Sequence, residues 1–253
     1  MHYRDLFYTK LWYNLESEAK KTYLGYAWWL LEPTLHVLVF YVVFEKLLQR
    51  GGEGFLIFLL CGNIPYLWFS KTVSNASSSI LSGQGLISQV PIAKSFFPLM
   101  IVLTDLVKQA FVFLFFFLFL LIYGVDVHST WIYIPVVVLV QLLVIVAAAL
   151  VSAAITPFFP DLRHIIPTLL MLVMFGSGIF YSYKAVVSLE YQRWFMMNPM
   201  ANLIENFRMV IIQGVPPDWI SLGIIALISC SVIAGMGYFF KRADSAYARL
   251  VAQ

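Results

Sequence analysis

Charge is scarce in this sequence. Asp, Glu, Lys and Arg make up 11% of its 253 residues, against 61% apolar residues. A soluble domain carries about 25% charge. This chain cannot cover itself with a polar surface, and it reads as an integral membrane protein. It also lacks the ~10-residue segments of alternating polarity that build an outer-membrane barrel, which leaves an all-α bundle in lipid. Cysteine is nearly absent: Cys61 and Cys230 both fall inside apolar runs and read as small buried hydrophobes. No Gly-x-x-x-x-Gly-Lys-Ser/Thr loop occurs, and Gly83-Gln84-Gly85 is no substitute. His2, His36, His128 and His164 are too scattered for a metal site. No two carboxylates lie close together within an apolar run, which weighs against a membrane-embedded transferase. The first 25 residues hold neither an apolar core nor a small-residue cleavage site, so no signal peptide is expected. A net charge of +3 suggests no nucleic-acid partner.

What is present is organised around the stretch from Pro157 to Pro217. A polar loop, Pro157 to His164, leads into an uncharged run from Ile165 to Tyr183. The following segment, Lys184 to Pro217, is too polar to span a membrane and too apolar for a plain loop. Within it Asn198 is a natural N-cap and Pro199 a natural first helical residue, and Gly214 with Pro216 and Pro217 closes the helix. Met200, Leu203, Ile204, Phe207, Val210 and Ile211 recur at three and four, so one face is apolar, with Asn202, Asn206 and Gln213 on another. At roughly 15 residues this helix falls short of the ~20 a span needs. It reads as re-entrant or interfacial, which implies a covered position or a wet pathway beside it.

The rest of the chain supplies six spans. Residues Met1 to Tyr26 place Tyr3, Phe7, Leu11 and Leu15 on one face and read as an amphipathic interfacial helix. Spans are expected at Trp28 to Phe44, from Phe55 past Ser70 towards Ser82, after Pro98 to Tyr123, at Trp131 to Ile155, at Ile165 to Tyr183 and at Trp219 to Phe240, with a tail from Lys241. Glu32, within the first span, is either a functional carboxylate or one that snorkels or caps at the interface. Asp105 and Lys108, three apart, share a face and are expected to pair. Gly83 to Phe97 reads as a short helix in the aqueous phase. Six spans put both termini on one side. That side carries Arg4, Lys10, Lys20, Lys21, Lys71, Lys94, Arg163, Lys241, Arg242 and Arg249, against Lys46, Arg50, Lys184, Arg193 and Arg208 opposite. The positive-inside rule makes it the cytoplasm.

Several stretches together resemble the transmembrane permease of type-2 ABC exporters for polysaccharides, the group that exports O-antigen, capsule and teichoic-acid chains. They are Lys21-Thr22-Tyr23-Leu24-Gly25-Tyr26-Ala27-Trp28-Trp29-Leu30-Leu31-Glu32-Pro33, the Gly85-Leu86-Ile87 to Pro98-Leu99 connection, Asp161-Leu162-Arg163, and Asn198-Pro199-Met200 through Arg208 to Gly214 and Pro217. The likeness runs over essentially the whole chain. It departs at Pro160, where the family often has Arg, and at Lys94, which stands three residues after Pro91.

The resemblance implies a homodimeric permease of the bacterial inner membrane, without a nucleotide site of its own. Two ATP-binding cassette subunits would bind ATP and Mg and hydrolyse the ATP. The cargo would be a glycan on undecaprenyl diphosphate, threaded outward at the dimer interface. By this analogy Gln89, Pro91, Lys94, Asp161 and Arg163 contact the ATPase, and the outward helices form a gate with Asn198, Pro199, Met200, Glu205 and Arg208. Aromatic residues make up 17% of the chain. Sugar C–H faces pack on such rings, so Trp28, Trp29, Phe40, Tyr41, Phe44, Phe175, Phe180, Tyr181 and Tyr183 are candidates to line a channel, set against the ordinary reading of core or interfacial belt. Arg4, Lys20 and Lys21 are candidates for the carrier diphosphate, set against general attraction to anionic lipid. An exporter of drugs or small lipids, an enzyme on lipid-linked sugars and a scaffold without a pathway are the competing readings.

Overall fold

The computed structural model describes residues 3–20, 23–47, 54–87 and 92–251, the side chains of 3–8, 18–19, 44–45, 86–87 and 244–251 excepted. Lys21, Gln89 and Pro91 lie outside the described residues, as do the side chains of Arg4 and Phe44. The described residues are helical with no strand. The α-helices run in order as α1 (Tyr3–Lys20), α2 (Trp28–Tyr41), α3 (Phe55–Ser77), α4 (Ser79–Ser82), α5 (Gln84–Ile87), α6 (Phe96–Tyr123), α7 (Ile134–Ile155), α8 (Leu162–Phe175), α9 (Tyr183–Val186), α10 (Leu189–Phe195), α11 (Pro199–Arg208) and α12 (Trp219–Val251).

Four stretches are long and apolar enough to cross a membrane: Phe55–Ser77, Phe96–Tyr123, Ser129–Ile155 and Trp219–Ala243. They match four of the six expected spans. The other two are represented by shorter elements. Helix α2 has 14 residues and runs on as a π-helical turn over Val42–Leu47. Helix α8 also has 14 residues and stops at Phe175, eight residues before the expected end. Beyond the stop, Gly178 sits at φ +67°, a left-handed conformation that keeps the chain from resuming a right-handed helix.

Helices α3 and α7 form the middle of the bundle. Helix α3 packs on α2, α6, α7, α8 and α11, and α7 packs on α3, α6, α11 and α12, while α1 rests on α6. In lipid, apolar surface alone does not drive helices together, so close approach and internal hydrogen bonds must. Ala149, Ala153 and Ala154 supply the close approach on α7. Gln141 of α7 donates through Nε2 to the carbonyl of Pro65 on α3 at 2.7 Å. Such a bond contributes about 1 kcal/mol in a membrane. The hydroxyl of Tyr66 donates to the carbonyl of Leu170, tying α3 to α8. Cys61 is buried on α3 as expected; Cys230 instead lies on the exposed outer side of α12. Its run is apolar because of what that side faces, not because it is internal.

Candidate functional site

The site is built on the chain between the end of α8 and the start of α12. Past Phe175 the backbone turns through Gly178, forms the short helices α9 and α10, and re-enters the bundle as α11. Asn198 caps α11: its Oδ1 accepts the Met200 amide at 3.0 Å, and its Nδ2 reaches Ser177 Oγ at 3.0 Å and the Gly176 carbonyl at 3.3 Å. One side chain thereby starts α11 and fixes it to the broken end of α8. Pro199 occupies the first turn, where its missing N–H costs nothing.

Every residue from Met200 to Arg208 is buried. The apolar face of α11 enters the main core through Met200, Leu203, Ile204 and Phe207. Its polar face is turned to the start of α12. Asn206 donates to Asn202 Oδ1 at 2.8 Å and accepts the Asp218 amide at 2.7 Å, and Ser221 Oγ donates to Asn202 Oδ1 at 3.0 Å. Asp218 caps α12 through the amides of Ile220 and Ser221. The helix then loosens into a π-helical turn over Met209–Gln213 and stops at Gly214, φ +65°. A Cβ at Gly214 would sit 2.9 Å from the His128 ring.

Arg208 holds the assembly from inside. It is 3% exposed. Its Nη1 donates to the Gly178 carbonyl at 2.8 Å, and its Nη2 to the Ile179 carbonyl at 2.9 Å and the Phe58 carbonyl at 3.2 Å. The guanidinium lies over the Phe58 ring, 3.4 Å from its centroid. The fixed fork of donors suits this: it donates to two carbonyls of the turn that follows α8 and ties that turn to α3. Gly62 leaves room for it, since a Cβ there would stand 3.0 Å from Nη2. One turn back, Glu205 pairs with Lys184 of α9 at 3.1 Å. That carboxylate raises the Lys184 pKa above its ordinary value, chiefly by accepting its hydrogen bond.

The candidate channel aromatics divide into two groups. Phe40 of α2 meets Phe180 at 4.5 Å between ring centroids, and Phe180 meets Phe175 at 5.6 Å. Tyr183 stacks on Phe195 at 5.7 Å, and Tyr181 approaches the same ring at 6.3 Å while its hydroxyl donates to the Phe175 carbonyl. These rings form a ladder of two segments, joined where the Tyr181 hydroxyl meets the Phe175 backbone, with Phe195 of α10 as a member that sequence reasoning missed. Trp28 and Trp29 stand apart from it. Trp29 neighbours Tyr26 and Phe111 and lines an apolar cavity of about 890 Å³ between α1, α2 and α6. Trp28 is exposed. Tyr41 is partly buried, with the Lys46 ammonium over its ring.

Asp161 and Arg163 are exposed at the start of α8, where Arg163 Nε donates to His164. Lys94 is buried, 6% exposed. Lys20 is exposed and pairs with Glu16 at 2.5 Å on α1. Among the described residues no group of His, Cys, Asp and Glu is arranged to hold a metal.

The sequence of the ABC-2 type transporter family matches residues 5–212 of this chain. The chain is 28% identical to the O-antigen export system permease protein RfbA of Myxococcus xanthus, over 98% of this chain and 96% of that protein. A protein of the same name from Klebsiella pneumoniae is 23% identical over 79% of this chain and 78% of its own length. The polysialic acid transport protein KpsM of Escherichia coli is 22% identical over 92% and 91%. With most of its length covered by one family pattern, the chain belongs to the ABC-2 type transporter family.

Proposed function

We propose that this chain is the channel-forming permease subunit of an ATP-driven polysaccharide exporter. Support comes from relatives named for O-antigen export and polysialic acid transport that align along nearly the whole chain. In this reading two copies enclose the conduit, and two separate cassette subunits bind ATP and Mg and drive it. The cargo is a glycan carried on undecaprenyl diphosphate, moved outward across the bacterial inner membrane. Helix α2 with its π-helical turn and helix α8 complete six spans, with both termini in the cytoplasm.

The observation that carries the mechanism is the burial of α11 beside the aromatic ladder. A half-length helix, buried from Met200 to Arg208, sits within the bundle and gives way to irregular backbone at both ends. Arg208 and Asn198 fix both of its ends to the broken end of α8. A shift of α8 therefore moves α11 and the rings from Phe175 to Tyr183 together. The exposed Asp161 and Arg163 at the other end of α8 are where a cassette subunit would push. The ladder offers ring faces to sugar C–H surfaces, while Lys20 with Arg4 and Lys21 offers charge to the carrier diphosphate.

The test is genetic and biochemical. Deleting the gene should leave glycan inside the cell, and affinity capture of the chain should recover a companion with a P-loop. Normal surface glycan in the deletion strain would remove the export reading.

A further inference from the structure

A polar cavity lies away from α11. It occupies about 230 Å³ where α2, α3, α6 and α8 meet. Two ion pairs border it. Glu32 of α2 and Lys71 of α3 pair where side chains are more exposed. Asp105 and Lys108 of α6 pair deeper in, at 2.6 Å. Sequence reasoning expected the second pair; it gave Glu32 only a snorkelling, capping or functional role, since a partner 39 residues away leaves no periodic signal. The charges balance, so the cavity has no net preference for an anion or a cation.

Three residues of its lining carry buried polar atoms with their hydrogen bonds unmade, set just behind its surface. Trp68 Nε1, Thr72 Oγ1 and Gln109 Nε2 are buried and have no partner. Trp68 is 3% exposed, Thr72 0% and Gln109 7%. A buried donor left unsatisfied costs about 1–3 kcal/mol. Two of the three are donors only, so the cavity asks for oxygen acceptors. The indoles of Trp29 and Trp68 add apolar wall. The volume is that of roughly seven waters, which is room for one six-membered ring.

Neutral charge, unmet donors, flanking carboxylates that accept hydroxyls, and indole walls together describe a carbohydrate site. We propose that this cavity binds a single neutral sugar ring, at the end of the bundle that the proposed topology places in the cytoplasm. The inference rests on the polysaccharide reading above and adds a recognition point ahead of the conduit. A ring held there by Trp68, Thr72 and Gln109 would be selected by its hydroxyl pattern before translocation.

The full chain, purified with its cassette partner and labelled with 5-fluorotryptophan, tests this by fluorine NMR. Trp68→Phe assigns the Trp68 resonance. Methyl glycosides of glucose, mannose, galactose, rhamnose and N-acetylglucosamine are titrated in turn, with sodium pyrophosphate at matched ionic strength as the anion control. The expected result is a saturable shift of the Trp68 resonance with at least one glycoside and none with pyrophosphate. Gln109→Leu and the isosteric Thr72→Val should each weaken that binding about tenfold, while the remaining tryptophan resonances stay in place and report an intact fold. No saturable shift with any glycoside means the cavity holds water alone, and that result overturns the proposal. So does a shift with pyrophosphate only, or binding unchanged in both variants. Any of these alongside intact cellular export would sink the sugar site and leave the export reading standing.

Discussion

The guanidinium carbon of Arg208 lies over the Phe58 ring, 3.4 Å from its centroid, and the same group donates to the carbonyl of that residue. The two residues stand 150 positions apart in the chain. This contact joins helix α11 to the core helix α3, and the same side chain holds the turn after α8 through Gly178 and Ile179.

Replacing Arg208 should therefore loosen three elements at once. Arg208→Ala takes the donor from the two buried carbonyls of Gly178 and Ile179, at about 1–3 kcal/mol each. Arg208→Lys keeps the charge but not the fork, and should recover only a minority of the loss. Thermal unfolding of the purified chain checks the order: wild type, then lysine, then alanine. A lysine variant as stable as wild type would show that charge alone matters.

Asn198→Ala should cost about 1 kcal/mol of local helix stability through the lost cap. Because Asn198 also bonds Ser177 and Gly176, the proposed gate should leak in this variant. Ion flux through vesicles containing the resting protein is the measurement. An ion-tight variant would remove α11 from the gate.

Phe40 and Phe180 are in ring contact, and aromatic pairs of this kind couple by about 0.5–1.5 kcal/mol. Phe40→Leu and Phe180→Leu should each slow glycan export while assembly with the cassette subunit persists. Trp28→Ala, away from the ladder, should have a smaller effect. A larger loss of export in Trp28→Ala than in Phe180→Leu would place the conduit elsewhere.

Lys184 has a pKa raised by Glu205, so its pairing stabilises the fold at pH values below the ordinary lysine pKa of 10.5 and is lost as pH rises through the raised value. The stability gap between wild type and Lys184→Met should be level from neutral pH up to about 10 and narrow above it. The ammonium is largely exposed, so the gap should be small and should shrink in salt. A gap that instead opened as pH rose would exclude the pairing.

Much of this arrangement was legible in residue order. The apolar runs located α3, α6, α7 and α12, and Asn198-Pro199 located the start of α11 to the residue, because capping is a local interaction. Asp105 and Lys108 were legible for the same reason, being three apart on one helix. What was not legible depends on distant partners. The turn that follows α8 has Gly178 in a left-handed conformation, and the Gly178 carbonyl accepts from Arg208. The pairing of Glu32 with Lys71, the place of Phe195 in the ladder and the turning of Asn202 and Asn206 towards α12 are all set by packing between helices. Periodicity within one helix reports which faces differ and leaves open what each face meets.

The central claim is ATP-driven movement of polysaccharide through this chain. Inverted inner-membrane vesicles carrying the chain and its cassette partner, given lipid-linked glycan on their outer face, measure it most directly. On adding ATP and Mg, the account predicts that glycan becomes protected from an added glycosidase, and that protection fails without ATP. Glycan that stays fully cleavable with ATP present would contradict the account.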